Sequence, residues 1–173
     1  RSSCQERIVA TLFHICLMPQ MNKTAKKQKK KNKVRQRMGQ SEEQLESQCD
    51  KMLKIKTTGR DDSHADSFCY PYEPTPYCVL ERLSNSGLIQ KKQTVLDYGT
   101  GKGRVCFFLS YQTRCHSVGI EYDERIFAGA EQNIENAVSG ARTQFVLANA
   151  ENYEVPSNAS FCYFFNPFSV EIL

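Results

Sequence analysis

The segment from Val95 to Val105 constrains the fold of this chain more than any other feature. It reads VLDYGTGKGRV, an apolar run with an acid in it, then glycines at positions 99, 101 and 103, then a helix-compatible run. Glycine allows a tight turn and lets a ligand approach the main chain closely. A helix that follows such a turn begins with unpaired N–H groups. The segment therefore predicts a strand, a ligand-binding turn and a helix.

The spacing of these glycines distinguishes between ligands. A dinucleotide-binding turn has the pattern G-x-G-x-x-G and receives a diphosphate, whereas this turn is D-x-G-x-G-x-G. A phosphate-binding P-loop requires Ser or Thr after its lysine, but Gly103 follows Lys102. The carboxylate of Asp97 favours a ligand with a cationic end. NAD binding stays open as an alternative, and a purely structural turn would not need three glycines and the acid.

This motif resembles the first motif of the class I S-adenosylmethionine-dependent methyltransferases. The resemblance implies that the loop cradles the methionine part of S-adenosylmethionine and that the acid holds its amino group. It also implies methyl transfer as the activity. The cofactor-binding residues expected in this motif are Asp97, Tyr98, Gly99, Gly101 and Gly103.

Apolar strands and amphipathic helices alternate after the loop. We expect helices over residues 104–111 and 124–138, and strands over 117–121, 144–148 and 161–165. Strands separated by helices of this length favour a parallel sheet, whose ligands bind beyond the carboxyl ends of its strands. The expected fold class is α/β. With the resemblance, it is a Rossmann-like class I methyltransferase sheet, mainly parallel and incomplete, with the first four strands and a helical N-terminal extension.

The next two strands end in polar residues. Glu121 closes the second strand, and a carboxylate there can accept both ribose hydroxyls of an adenosine. The resemblance implies that role for Glu121. Asn149 and Ala150 follow the third strand, where the family commonly has an Asp in place of Asn149 that meets the adenine amino group. The amide oxygen of Asn149 can also accept a hydrogen bond from an amine.

Asn166, Pro167 and Phe168 follow the fourth strand. They resemble the Asn/Asp-Pro-Pro-aromatic motif of methyltransferases that modify nitrogen, with one proline missing. The resemblance implies that Asn166 and a carbonyl near Pro167 hold the N–H groups of the attacking amine while Phe168 flanks it. Orientation then supplies most of the acceleration. The alternative is a turn that ends the strand, for which Asn-Pro is a common signal.

The segment 70–77 is stiff, because each proline restrains itself and the residue before it. It resembles a Tyr-x-Pro-Thr-Pro stretch that folds over the cofactor in bacterial class I methyltransferases and, more distantly, in the non-SET histone-lysine methyltransferases. The resemblance implies cofactor contacts from Tyr72 and Thr75. A rigid connector packed on the core is the alternative. We also expect a helix from the capping box at Ser41 to about Lys56 and a short helix over 77–83.

Charge divides the chain into an arm and a domain. Residues 1–40 carry 11 Lys and Arg residues and one acid, whereas residues 41–173 carry 12 Lys and Arg residues and 18 acids. We expect a basic, disordered arm over 1–40, a helix and loop lead-in over 41–69, and the cofactor-binding half of a methyltransferase domain over 70–173. Residues 23–37 hold nine basic residues and no acid, which predicts weak attraction to nucleic acid.

Both ends of the chain carry an expectation. Met21 has the context of a natural start, so we expect residues 1–20 to be absent from the native protein. Their apolar run, 8–18, is too short to span a bilayer, and we expect no membrane association. The chain stops after the expected fourth strand, so we expect a C-terminally truncated protein.

The cysteines and acids do not indicate a metal. None of the eight cysteines is spaced C-x-x-C, and the acidic group in 61–66 is ordinary loop composition. Reduced thiols indicate a cytoplasmic protein. The function expected is transfer of a methyl group to a nitrogen atom of an unidentified acceptor, which is a small molecule, a protein or an RNA. Open alternatives are a non-catalytic S-adenosylmethionine-binding fragment, an RNA- or ribosome-associated methyltransferase and an NAD-dependent oxidoreductase.

Overall fold

A computed structural model of the chain describes residues 42–60 and 72–165. Helices and strands alternate in these residues, as the hydrophobic pattern predicts. The helices are α1 (Glu42–Leu53), α2 (Tyr77–Asn85), α3 (Arg104–Thr113) and α4 (Glu124–Ile134). The strands are β1 (Thr94–Tyr98), β2 (His116–Glu121), β3 (Thr143–Leu147) and β4 (Ala159–Phe164).

Two helices end earlier than the sequence pattern predicts. Helix α1 stops at Leu53 because Lys54 has a left-handed conformation, with φ of 60°, and the Ile55 N–H turns back to the carbonyl of Asp50 at 3.0 Å. Helix α4 stops at Ile134 instead of continuing to residue 138. In both cases the residues after the helix continue in a turn.

The strands form one four-stranded sheet with the order β3-β2-β1-β4. Every pairing between these strands is parallel. The register sets Tyr98 beside Ile120 and Phe164, and Glu121 beside Leu147. The carboxyl ends of the four strands therefore meet at one edge, which we call the carboxyl edge. This arrangement confirms the expected Rossmann-like α/β sheet.

Apolar side chains cover both faces of the sheet, because successive residues of a strand point to opposite sides. Helices α1, α2 and α3 pack on the face that carries Val95, and α3 is buried continuously from Arg104 to Ser110. The other face carries a smaller cluster around Leu96, Tyr98 and Ile120. Within residues 42–60 and 72–165, no helix is long and apolar enough to cross a membrane.

Candidate functional site

The turn between β1 and α3 depends on glycine. Gly99, Gly101 and Gly103 have φ of 71°, 58° and 86°, in the left-handed region that side chains disfavour. The N–H groups of Gly99 and Thr100 donate to the carbonyl of Ile120 at 2.9 and 3.0 Å, which ties the turn to β2. The three glycines expected at the cofactor therefore shape one loop at the carboxyl edge, and residues 99–103 are called the glycine loop below.

Asp97 lies beneath the glycine loop. It is 2% exposed, and its Oδ2 accepts a hydrogen bond from the Thr100 hydroxyl at 2.7 Å. Burial raises the pKa of Asp97 to about 7, and the nearby charge of Glu121 adds to this rise, while the Thr100 hydroxyl opposes it. The Asp97 carboxyl group therefore changes charge near neutral pH, and a cation placed close to it would favour the charged form.

Glu121 is joined to the glycine loop. Its Oε2 accepts the Gly101 N–H at 2.8 Å, and its Oε1 accepts the N–H groups of Tyr122 and Asp123 at 2.9 and 3.0 Å. Burial raises the pKa of Glu121, and these three N–H groups oppose the rise. A carboxylate has about four acceptor positions, so Glu121 retains room for a further donor while it links β2 to the loop.

The end of β3 presents Asn149 and Ala150 next to Glu121. Asn149 is exposed, and its side-chain oxygen accepts the Glu151 N–H at 3.0 Å, which caps a single 3-10 turn. Ala150 packs against the smaller apolar cluster. Tyr122 and Leu147, which the sequence analysis passed over, are 63% and 45% exposed at the same edge. The signal for Tyr122 was its position directly after Glu121.

Tyr72, for which the resemblance implies a cofactor contact, packs on the glycine loop. A Cβ atom at Gly101 would overlap its ring, and the Lys102 ammonium group lies 4.9 Å from the ring centroid. Its hydroxyl donates to the carbonyl of Thr57 at 2.6 Å. Thr75 behaves differently: it is buried, and its hydroxyl pairs with the hydroxyl of Tyr163 on β4 at 3.3 Å. Tyr72 and Thr75 thus join their segment to both the loop and the sheet.

The remaining residues of the expected site are Tyr98 and the three that follow β4. Tyr98 is buried on the smaller cluster, where its ring stacks on that of Phe164 with centroids 4.9 Å apart. Asn166, Pro167 and Phe168 lie outside the described residues.

Arg104 and Asn133 are two buried polar residues next to the loop that the sequence analysis missed. Arg104 is 3% exposed and forms ion pairs with Glu46 and Asp50 of α1. Asn133 donates to the carbonyl of Lys102, within the glycine loop, at 3.0 Å. The available signal for the Arg104 pairing was the four-residue spacing of the two acids, which puts them on one face of a helix.

Within the described part of the chain, no group of three or more His, Cys, Asp or Glu side chains could hold a metal ion. The described part of the site offers two carboxyl groups, the main chain of the loop and nearby aromatic rings. These groups suit a ligand that has a cationic end, a diol and a flat ring.

Comparisons with known proteins show what the chain is similar to. Residues 89–162 match a family described as a methyltransferase domain. No curated protein sequence matches the chain. Among solved structures, an RNA methyltransferase from Salinibacter ruber in complex with S-adenosyl-L-homocysteine is 23% identical, with a TM-score of 0.50 over 53% of this chain and 60% of that one.

A SAM-dependent methyltransferase from Geobacter sulfurreducens, also in complex with S-adenosyl-L-homocysteine, is 22% identical, with a TM-score of 0.47 over 52% of this chain and 36% of that one. At such identities, structural likeness concerns the fold. The chain described here spans 60% of the length of the Salinibacter ruber protein.

Proposed function

We propose that this chain is a class I S-adenosylmethionine-dependent methyltransferase and that its carboxyl edge binds S-adenosylmethionine, the cofactor of that family. The observation that carries the proposal is the contact between the glycine loop and Glu121. The Gly101 N–H donates to this carboxylate at 2.8 Å, so a loop suited to the methionine end lies directly beside an acid suited to the ribose.

The residues of the site fit the cofactor from end to end. The methionine end lies along Gly99 to Gly103, with its ammonium group attracted by Asp97. The ribose hydroxyls would face Glu121, where one of them would donate to the acceptor position that the carboxylate has left. Tyr122 and Asn149, both exposed, would hold the adenine ring.

The same charges disfavour a diphosphate ligand. Burial is the main cause of the raised pKa of Asp97, and the negative charge of Glu121 adds to it, so an added negative charge here would meet repulsion. A cationic ligand relieves this repulsion and a diphosphate increases it. This contrast favours S-adenosylmethionine over NAD.

When bound, S-adenosylmethionine supplies an electrophilic methyl group on a cationic sulfur. We propose that the acceptor atom is nitrogen and that Asn166, Pro167 and Phe168 orient it, because they follow β4 after one residue and the end of β4 lies beside that of β1. The chain then contributes mainly orientation, since a neutral amine needs little acid–base assistance to attack.

The acceptor is a small molecule, a protein or an RNA. Among the structural relatives is an RNA methyltransferase, and the basic residues 23–37 favour an acceptor or partner with negative charge. The five cysteines of the described residues are unpaired, which supports a reducing, cytoplasmic location. The second candidate function is a protein that binds S-adenosylmethionine without methyl transfer, and product analysis separates the two.

Titration calorimetry of the full chain at pH 8 with S-adenosylhomocysteine and with NAD tests the proposal. We expect saturable binding of S-adenosylhomocysteine and none of NAD. Glu121→Gln removes the charge at the ribose position and should weaken binding at least about tenfold. Glu131→Gln, at an exposed position of α4, is the matched control and should not change binding. NAD binding without S-adenosylhomocysteine binding would overturn the proposal.

A further inference from the structure

A buried polar cluster connects the N-terminal helix to the glycine loop and has no part in the function proposed so far. Its members are Glu46 and Asp50 on α1, Thr57 after α1, Arg104 on α3 and Asn133 on α4. We call these five residues the brace. They come from four separate pieces of the chain and meet behind the loop.

Asp50 holds the segment after α1. Its carboxylate accepts the N–H and the hydroxyl of Thr57 at 2.6 and 2.7 Å, the N–H of Thr58 at 3.0 Å and the hydroxyl of Tyr77 at 2.5 Å. Asp50 is 5% exposed, so these donors replace the water that the charge would otherwise require. The position of Thr57 is therefore fixed from α1.

Arg104 connects this segment to the end of the glycine loop. Its Nε donates to the Thr57 hydroxyl oxygen at 2.7 Å, and its guanidinium group forms an ion pair with Glu46 and lies over the ring of Tyr77 at 4.3 Å. Arg104 follows Gly103 directly in the chain. The buried ion pairs thus fix the main chain where the loop becomes helix α3.

Asn133 holds the loop from the other side. Its oxygen accepts the Lys56 N–H at 2.8 Å, and its nitrogen donates to the carbonyls of Lys56 and Lys102 at 3.2 and 3.0 Å. Lys102 lies between Gly101 and Gly103 in the loop. One amide group on α4 therefore satisfies main-chain atoms of both the loop and the segment after α1.

Tyr72 extends the same network to the outer side of the loop. Its hydroxyl donates to the Thr57 carbonyl at 2.6 Å while its ring packs on Gly101. Thr57 is thus the point at which Asp50, Arg104 and Tyr72 converge. Tyr72, Arg104 and Asn133, which hold the glycine loop or its end, therefore all bind residue 56 or 57.

We propose that the brace residues are positioning residues, which hold the glycine loop and Tyr72 in the shape that receives the methionine end of the cofactor. This inference rests on the proposed function. A loop with three glycines has many conformations to lose when it binds a ligand. A framework that fixes the loop in advance removes that cost from binding. Helix α1 thereby contributes to affinity without a contact to the cofactor.

Two ligands separate a positioning role from a general structural one. S-adenosylhomocysteine has both the amino-acid part expected at the loop and the adenosine part expected at Glu121, whereas adenosine has only the second. We expect Asn133→Leu to raise the Kd for S-adenosylhomocysteine about tenfold or more and the Kd for adenosine less than about twofold. Tyr72→Phe keeps the ring, loses the bond to Thr57 and should give a smaller change of the same kind.

Ser110→Ala is the matched control on α3. It removes a buried hydrogen bond of 2.8 Å to Ser117 in a part of the helix beyond the brace. We expect it to lower stability and leave both Kd values unchanged. Calorimetry with the full chain gives the Kd values, and circular dichroism confirms that each variant is folded. If Asn133→Leu fails to fold, Tyr72→Phe decides the question alone.

The outcomes distinguish the two proposals. If the unaltered chain binds S-adenosylhomocysteine but Asn133→Leu and Tyr72→Phe bind it equally well, the positioning role is wrong and the proposed function stands. An equal loss for both ligands, or a loss in Ser110→Ala as large as that in Asn133→Leu, also overturns the positioning role. If the unaltered chain does not bind S-adenosylhomocysteine, the proposed function is wrong and the inference falls with it.

Discussion

Asp97 is predicted to reduce the stability of the ligand-free protein in order to serve the cofactor. Its pKa is raised from the ordinary value of 3.8 to about 7 by burial, with Glu121 contributing. A pKa raised by about three units corresponds to at most about 4 kcal/mol. Because the raised pKa favours the neutral carboxyl group, the stability that this group contributes is fully present below pH 3.8. It is lost as the pH rises through 7 and the folded protein must carry the buried charge.

Asp97→Asn tests this effect because it keeps an oxygen that can accept the Thr100 hydroxyl and removes the ionisation. We expect the variant to exceed the unaltered chain in free energy of unfolding by up to about 4 kcal/mol at pH 8, and by much less at pH 5. Urea unfolding of the full chain, followed by circular dichroism at pH 5, 6, 7 and 8, measures the difference. Asp123→Asn is the control, since asparagine also caps helix α4.

The same substitution should weaken cofactor binding. Only ionised Asp97 attracts an ammonium group, and about a tenth of it is ionised one pH unit below its pKa. The affinity of the unaltered chain for S-adenosylhomocysteine should therefore be about tenfold lower at pH 6 than on its plateau above pH 8. The reasoning is refuted if Asp97→Asn is less stable than the unaltered chain at pH 8, or if its affinity keeps the same pH profile.

Three further substitutions have expected outcomes. Gly101→Ala places a side chain at φ of 58° against the Tyr72 ring, so it should cost about 1 to 3 kcal/mol in urea unfolding and weaken S-adenosylhomocysteine binding in calorimetry. Arg104→Met leaves two buried carboxylates without their ion pair and should lower the free energy of unfolding by about 3 to 5 kcal/mol. An unchanged midpoint of urea unfolding would contradict this. Asn166→Ala should leave the Kd for S-adenosylhomocysteine unchanged and lower the rate of methyl transfer to an amine acceptor at least about tenfold. A loss of S-adenosylhomocysteine binding would assign this residue to the cofactor instead.

The sheet and the glycine loop were predictable because their signals are local. Apolar runs of strand length alternate with helical periods, and each run ends where a polar residue such as Glu121 begins the turn. Parallel strands then bring these ends to one edge, as the register of β1 with β2 confirms. These two facts place the predicted site residues of β1, β2 and β3 at one edge of the sheet.

The brace was not predictable because its contacts are distant in sequence. A first-turn arginine such as Arg104 is ordinarily exposed, and only the packing of α1 on α3 places it against Glu46, 58 residues earlier. Asn133 is a second example, because the helical pattern favours an apolar side chain on the inner face of α4. The polar side chain is explained only by the main-chain atoms of Lys56 and Lys102 that lie beside it. Tertiary contacts decide such positions.

The end of α1 is a further feature that local sequence does not predict. The sequence pattern continues to Lys56, but the left-handed Lys54 ends the helix and directs residues 56 and 57 towards the loop. No local propensity favours a left-handed lysine. The hydrogen bonds that Asp50 and Asn133 make to this segment supply the compensation.

A crystal structure of the full chain with S-adenosylhomocysteine tests the location of the cofactor most directly. The predicted result is a ligand along the carboxyl edge, with its amino-acid part against the glycine loop, its ribose hydroxyls on Glu121 and its adenine against Tyr122. A ligand bound elsewhere, or bound at this edge without a contact to Glu121, would contradict the proposed cofactor site.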